Sequence, residues 1–211
     1  MKIISFDELE STQRYLIEKL QNKSYEAPIA LWAKQQTQGI GSRNNQWEGG
    51  AGNLFFSFAM NLDDLPEDLP LSSASIYFAF IMKEILNGYI DDIWLKWPND
   101  LYYIEDKIGG IITKKIDSIL VCGMGINLQK NSNGYEALNL NIERELLLER
   151  YFELLEESPS WKQVFSKYAI EFERRKLVSA HIQGEYKSLR DAILREDGSL
   201  IIDNKRVYSL R

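Results

Sequence analysis

Four short segments carry residue types from which a reactive site could be built. Glu10-Ser11-Thr12-Gln13 offers two hydroxyls and an amide, although Ser11 and Thr12 serve equally well as a helix N-cap. Gln36-Thr37-Gln38-Gly39-Ile40-Gly41-Ser42-Arg43, with Trp47 beyond it, combines glycines with one arginine. Such a run can turn backbone N–H groups towards an anion, or be an ordinary surface loop. Lys96-Trp97-Pro98-Asn99-Asp100 sets a cation, an amide and a carboxylate around a proline. That set can grip phosphate and a metal ion, or simply make a polar turn. Lys107-Ile108-Gly109-Gly110-Ile111-Ile112 and Gly123-Met124-Gly125-Ile126-Asn127 place glycines inside apolar runs. Glycine within a strand marks the close approach of a ligand or another backbone, or a bend in the sheet. No G-x-x-x-x-G-K-[ST] run is present, which excludes a P-loop.

The elements that must position these segments follow from periodicity and turn chemistry. Residues 3–6 read as a strand, and a helix capped at Ser11-Thr12 runs to Leu20 with Tyr15, Leu16 and Leu20 at helical spacing. Residues 29–33 form a strand, and residues 36–52, with five glycines, are expected to be a loop. Residues 54–61 are a strand, 71–86 a buried helix, and 93–97 a strand ended by Pro98-Asn99-Asp100. Residues 107–116 and 118–128 make a hairpin around Asp117-Ser118. Helices follow over 143–155 and 160–176. Two short strands close the chain, 186–194 and 200–210, with turns at Asp197-Gly198 and Asp203-Asn204. The class is α+β, with a main unit over 1–178 and a small β unit over 179–211.

Composition narrows the function classes. With 25 basic and 31 acidic residues the net charge is −6, against the basic footprint that nucleic acid demands. No apolar run approaches the roughly 20 residues that span a bilayer, and nothing at Met1-Lys2 reads as a signal peptide. One cysteine, Cys122, and one histidine, His181, far apart in sequence, leave no pair for an intrachain disulfide, too few ligands for zinc and a thiol that reads as buried rather than as a Cys–His nucleophile. A cytoplasmic protein fits these features.

Taken in order and spacing, the four segments resemble the biotin–protein ligase family, from about Ser11 to Asn127 and more loosely onward. The resemblance implies the class II synthetase-like biotin/lipoate ligase fold: a central mixed sheet flanked by helices, with a small SH3-like C-terminal domain. It implies ATP-driven activation of biotin to biotinyl-5′-AMP with Mg²⁺. Transfer would follow to a lysine of biotin carboxyl carrier protein, the carrier domain of a biotin-dependent carboxylase such as acetyl-CoA carboxylase. It places biotin against Ser11, Thr12, Gln13, Gln36, Gly39, Ile40, Gly41, Ser42, Trp47, Lys107, Gly110 and Ile112. It places ATP against Arg43, Lys96, Asn99, Asp100 and Asn127, gives Asp100 the metal, and makes Lys107 and Arg43 the catalytic cations. A ureido head, with one carbonyl and two N–H groups, suits hydroxyls and an amide in a buried slot.

The glycine loop departs from the family. Many relatives carry arginines where Ile40 and Ser42 stand, leaving Arg43 alone, so the adenylate is expected to be held less firmly. Because the resemblance starts at Ser11, a single-function form without the DNA-binding domain of repressor members is expected. A homodimer is left open. The rivals are a lipoate or octanoate ligase or transferase of the same fold, and a non-catalytic biotin-binding module.

Overall fold

The computed structural model describes residues 1–41, 46–130, 136–182 and 184–208. Its centre is an eight-stranded mixed sheet. Strands β1 (Lys2–Leu9), β2 (Ile29–Ile40), β4 (Leu54–Asn61), β8 (Ile119–Ile126), β7 (Asp106–Ile116), β6 (Asp100–Tyr103) and β5 (Ile93–Lys96) lie side by side in that order, and β3 (Gln46–Gly49) pairs with β2. Only β1 and β2 run parallel; the other pairs are antiparallel.

The two faces of this sheet have different tasks, and strand alternation assigns them. Phe56 and Phe58 of β4, Cys122, Met124 and Ile126 of β8, Trp32 of β2 and Ile111 of β7 point into the large core. There they meet three helices: α2 (Ala74–Leu86), α3 (Arg144–Glu156) and α4 (Trp161–Arg175). Helix α2 is apolar nearly all round because it lies between the sheet and the other helices, so almost every residue of it is buried. Phe56, Phe58, Phe78, Tyr151 and Phe152 interlock edge-to-face at centroid distances of 5.0–6.1 Å, a geometry that aligns ring edges with ring faces.

On the opposite face, α1 (Thr12–Gln21) covers only part of the sheet. Leu16 and Leu20 pack on Ile29, Leu31, Ala59 and Val121 in a second, smaller core. Beyond Val121 on the same face of β8 come Gly123 and Gly125, opposite Ile112 and Gly110 of β7. Of that glycine strip, only Gly123 is met by a helix, through Gln13 in the first turn of α1.

Residues 179–208 form two small sheets, β9 (Ser179–Ile182) with β10 (Glu185–Ser188), and β11 (Ile193–Leu194), β12 (Leu200–Ile202) and β13 (Lys205–Val207). Ala180, Ile182, Leu189, Ala192, Leu200 and Ile202 belong to the same core cluster as α2 to α4, so this part has no separate core of its own. The turn signals of the sequence are real: Gly198, Asp203 and Asn204 all have positive φ.

Several element boundaries differ from the sequence expectation. The expected loop over 36–52 is largely the extension of β2 to Ile40 and its return as β3, because glycine here permits strand contact rather than breaking it. Asp100, read as the end of the turn at Pro98-Asn99-Asp100, opens a strand that runs to Tyr103. Residues 71–73 are a 3₁₀ turn rather than part of α2. The terminal stretch holds five short strands instead of two, and β9 begins before the expected position.

Candidate functional site

The glycine strip is the floor of a cavity of about 270 Å³. Its walls come from separate elements whose register brings them together. From the first turn of α1 come Ser11, Thr12 and Gln13; from β2, Gln36 and Ile40 with Gly41; from β3, Trp47; from β4, Ser57. The far side is Asn99 and Asp100, Lys107, Gly110, Ile112 and Asn127. Gly123, Met124 and Gly125 lie beneath.

One half of the cavity is neutral and densely hydrogen-bonded. Ser11 caps α1, accepting from Arg14 N–H at 3.3 Å, and so fixes the two residues after it. Thr12 donates twice to Gln36 Oε1, from its backbone N–H at 2.7 Å and its hydroxyl at 2.9 Å. Ser57, 45 residues away, donates to Thr12 Oγ1 at 2.9 Å. Gln13 lies directly over Gly123, so close that any Cβ there would overlap its side-chain carbonyl. Gln13 Oε1 is buried and has no partner among the described residues. A buried acceptor without a donor costs free energy unless a ligand or water satisfies it.

The other half is charged. Lys107 Nζ lies 2.6 Å from Asp100 Oδ1, on the sheet face shared with Gly110. Asn99 is fixed by its side-chain amide, which donates to Ile111 O at 2.6 Å, while Ile111 N–H donates back to Asn99 O. Asn127 Nδ2 donates to Glu136 O at 3.2 Å, leaving its buried Oδ1 without a partner among the described residues.

Trp47 spans the two halves. A Cβ on Gly125 would come within 2.6 Å of its indole, and one on Gly110 within 3.4 Å. The ring therefore lies against bare backbone, with Lys107 Nζ 5.8 Å from its centre. Its Nε1 is a third buried polar atom with no partner among the described residues. The cavity thus has an indole laid on the bare peptide planes of its floor, with polar groups at both ends.

Two residues expected in the site do not line it. Gly39 sits where β2 and β3 meet: a Cβ there would lie 2.5 Å from Trp47 O and 2.9 Å from Gln36 Nε2. Its task is close strand approach, which delivers Trp47 to the floor. Lys96 pairs with Asp100 across β5 and β6, so it shares the face, but its Nζ turns to Tyr102 OH at 3.1 Å, over the ring at 4.8 Å. Burial lowers its pKa despite the nearby Asp100 carboxylate. Ser42 and Arg43 lie outside the described residues. Ser57 went unnoticed in the sequence; the signal was one hydroxyl inside the otherwise apolar Leu54-Phe55-Phe56-Ser57-Phe58 run.

Residues 5–131 match the model of the biotin/lipoate A/B protein ligase family. The chain belongs to that family. A solved structure of biotin acetyl coenzyme A carboxylase synthetase from Helicobacter pylori, with bound biotinylated ATP, is 43% identical with a TM-score of 0.93, covering 98% of this chain and 99% of that one. Biotin protein ligase from Aquifex aeolicus, in complex with biotin and ATP, shares the fold at 23% identity and a TM-score of 0.77, covering 100% of this chain and 96% of that one. The bifunctional ligase/repressor BirA of Salmonella typhimurium is 30% identical over 128 residues, which is 57% of this chain and 38% of that protein. The chain's match thus spans less than two fifths of that curated relative.

Proposed function

We propose that this protein joins biotin to ATP, giving biotinyl-5′-AMP, and transfers the biotinyl group to a lysine of biotin carboxyl carrier protein. The observation that carries this reading is the two-ended cavity: an uncharged hydrogen-bonding end, an indole-covered middle and a lysine at the far end. The Helicobacter pylori relative, which matches along nearly its whole length, holds a biotinylated nucleotide.

Each end suits one part of the reaction. Thr12, Gln13, Gln36 and Ser57 take the ureido head; Trp47, Ile112 and the glycine floor enclose the rings and chain. Asn99, Asp100 and Asn127 line the end where the nucleotide lies, with Lys96 beside it for the outer phosphates. In the first step an oxygen of the biotin carboxylate bonds to the α-phosphorus of ATP. The bond to the β-phosphate bridge breaks, and pyrophosphate leaves with the electron pair. Both reactants are anionic, so Lys107 offsets their repulsion and the charge gathering on the phosphoryl oxygens. In the second step a carrier lysine amine attacks the acyl carbon, the bond to AMP breaks, and the amine loses its proton. No enzyme nucleophile takes part. Ser42 is assigned to biotin, and Arg43 to ATP and, with Lys107, to the catalytic charge.

Mg²⁺ suits this site in a limited way. Asp100 is the carboxylate on the cavity wall, already beside Lys107, and no cluster of three acidic, histidine or cysteine ligands occurs among the described residues. That fits a magnesium ion held largely by phosphate and water oxygens, with Asp100 as its protein ligand; when bound, it would supply charge neutralisation.

The rivals fit less well. An acyl transferase needs a thiol at the acyl site, whereas Cys122 is fully buried on the core face and burial pushes its pKa well up. A lipoyl ring would leave the polar end unsatisfied. Residues 1–178 are assigned to catalysis and 179–211 to its support, in the cytoplasm. No described helix is long and apolar enough to cross a membrane. The test is ATP- and Mg²⁺-dependent labelling of a carrier domain with biotin; labelling by lipoate but not by biotin overturns the reading.

A further inference from the structure

The geometry points to Glu171 of α4 as a positioning residue that holds the Lys96-to-Asp100 segment in place from the outer edge of β5; this rests on the ligase reading above. Strand β5 is the last of the large sheet and pairs only with β6. Its outer edge therefore carries backbone groups that no strand receives, and buried groups of that kind need partners. Side chains supply them. The Asn87 amide accepts from Ile93 N–H at 3.1 Å and donates to Ile93 O at 3.0 Å, as a neighbouring strand would. Two residues on, Glu171 Oε1 accepts from Leu95 N–H at 2.7 Å.

The carboxylate is itself held. Its Oε2 accepts from Lys83 Nζ of α2 at 2.7 Å, and that ammonium also lies 2.9 Å from Glu84 and 4.1 Å from the centre of the Phe80 ring. The Lys83 and Glu171 side chains are only 7% and 17% exposed, so bulk water competes little for either. A short bond to an ionised acceptor in such surroundings is strong and directional. One turn further along α4, Arg175 donates to Asp92 at 3.1 Å and lies over the Trp94 ring at 5.8 Å. Residues four apart share a helix face, so one face of α4 grips β5 twice. Elsewhere α2 and α4 meet through apolar rings such as Phe80 and Tyr168, 6.2 Å apart, and packing alone gives no reason for a carboxylate here.

The bond to Leu95 fixes register. Leu95 faces Leu101 and Lys96 faces Asp100 across β5 and β6, and Asp100 in turn holds Lys107. A β5 strand free to shift along its outer edge would carry Lys96, Asn99 and Asp100 with it. The neutral end of the cavity is built on α1, β2 and β4, which do not touch β5. Glu171 thus acts through β5 on the charged end alone. The loss of its acceptor oxygen should be read in the handling of ATP and not in the binding of biotin.

The experiment compares the wild type with Glu171→Leu, Glu171→Gln and Lys83→Met. It measures pyrophosphate release for the KM of ATP, biotin affinity by calorimetry, the unfolding midpoint, and hydrogen exchange of the Leu95 amide. Glu171→Leu fills the space but accepts nothing, so the KM for ATP should rise about tenfold and the Leu95 amide should exchange faster, with biotin affinity within about twofold. Glu171→Gln keeps an acceptor oxygen and should hold the KM for ATP within about threefold of the wild type. Lys83→Met breaks the same ion pair and lowers stability, yet leaves Glu171 on Leu95, so its KM for ATP should stay within about twofold. Where Glu171→Leu does not fold, Glu171→Asp, one methylene short of Leu95, takes its place and must show the same ATP-selective loss. A KM for ATP that simply follows the unfolding midpoint across the variants, an unchanged KM without the acceptor, or an equal loss of biotin affinity overturns the proposal. A wild type that releases no pyrophosphate with biotin and ATP defeats the ligase reading instead, while Leu95 exchange still reports on the Glu171 bond.

Discussion

The indole Nε1 of Trp97 donates to the carbonyl of Gly198 at 2.9 Å, joining residues 101 positions apart. Trp161 Nε1 donates to Glu196 O at 2.7 Å, and Ser73 Oγ to Asp197 O at 2.5 Å, so one C-terminal turn accepts three buried or half-buried donors. Trp97 is two residues from Asn99 and three from Asp100. The turn therefore braces the charged end of the cavity, where we propose the nucleotide binds, from behind. Gly198 has φ +76°, and a Cβ there would overlap the Ser73 side chain. Gly198→Ala should lower stability by about 1–3 kcal/mol and weaken ATP binding while sparing biotin binding. Denaturant unfolding and calorimetry with each ligand would check both parts.

Lys107→Ala should lower the rate of adenylate formation by at least about a hundredfold, roughly 3 kcal/mol, since the lysine opposes charge that develops during phosphoryl transfer. The side chain is 41% exposed and its ion pair with Asp100 is partly solvated, so stability should change by no more than about 1 kcal/mol. Biotin-dependent pyrophosphate release, set beside a thermal melt, separates the two. Near-normal release would make Lys107 a structural partner of Asp100.

Gly125→Ala tests the floor. Its φ is not in the left-handed region, so alanine brings no backbone strain, yet the new methyl would lie 2.6 Å from the Trp47 indole. Biotin affinity should fall about tenfold or more while the unfolding midpoint is unchanged or rises slightly, since alanine costs less backbone entropy than glycine. Quenching of Trp47 fluorescence by ligand gives the binding half of the comparison.

The acid limb of stability should depend on Asp197. Burial alone would raise its carboxyl, but hydrogen bonds from the hydroxyl and N–H of Ser199, with the Arg206 guanidinium at 2.6 Å, outweigh it and hold its pKa below the ordinary value. The folded pKa is thus depressed. Its contribution is present above the unfolded value of about 3.9 and is lost as pH falls through the lower folded value. Urea unfolding followed as pH is lowered through 4 should show a shallower acid loss in Asp197→Asn than in the wild type. Parallel curves would remove Asp197 from the account.

Cys122→Ala should retain biotin transfer and cost about 1 kcal/mol of stability. The thiol is fully buried on the core face, away from the cavity. Thiol-directed alkylation of the native protein should leave activity intact. Loss of transfer in the alanine variant without unfolding would revive a thioester route.

Much of this arrangement was legible in the sequence, and the rest was hidden for physical reasons. Thr12, Gln13, Gln36, Lys107 and Gly110 stand in short motifs whose spacing survives into the cavity wall. The hairpin of β7 and β8 follows from its alternating apolar residues and the turn at Asp117, whose φ is +49°. Ser57 left only a faint signal, one hydroxyl in an apolar run, because its partner Thr12 reaches it only when β4 lies beside β2 and below α1. The strand over 36–40 was hidden by its glycines, which read locally as breakers but here allow β3 to approach. Gly39 and Lys96 show the converse: both stand in motif runs, yet outside the cavity wall one spaces two strands and the side chain of the other turns to Tyr102.

Because the central sheet gives its aromatic side to folding and its glycine side to ligand, neighbouring residues answer to different selective pressures. Phe56 and Ser57, or Cys122 and Gly123, are adjacent in the chain but are judged by unrelated criteria, one by how the protein survives heat and the other by what the cavity accepts. Successive codons along β4 and β8 can therefore drift almost independently. An experimenter could reshape the ligand preference of this scaffold through Ser57, Gly123 and Gly125, while Ala59 and Val121 further along the same face belong to the smaller core and answer to folding.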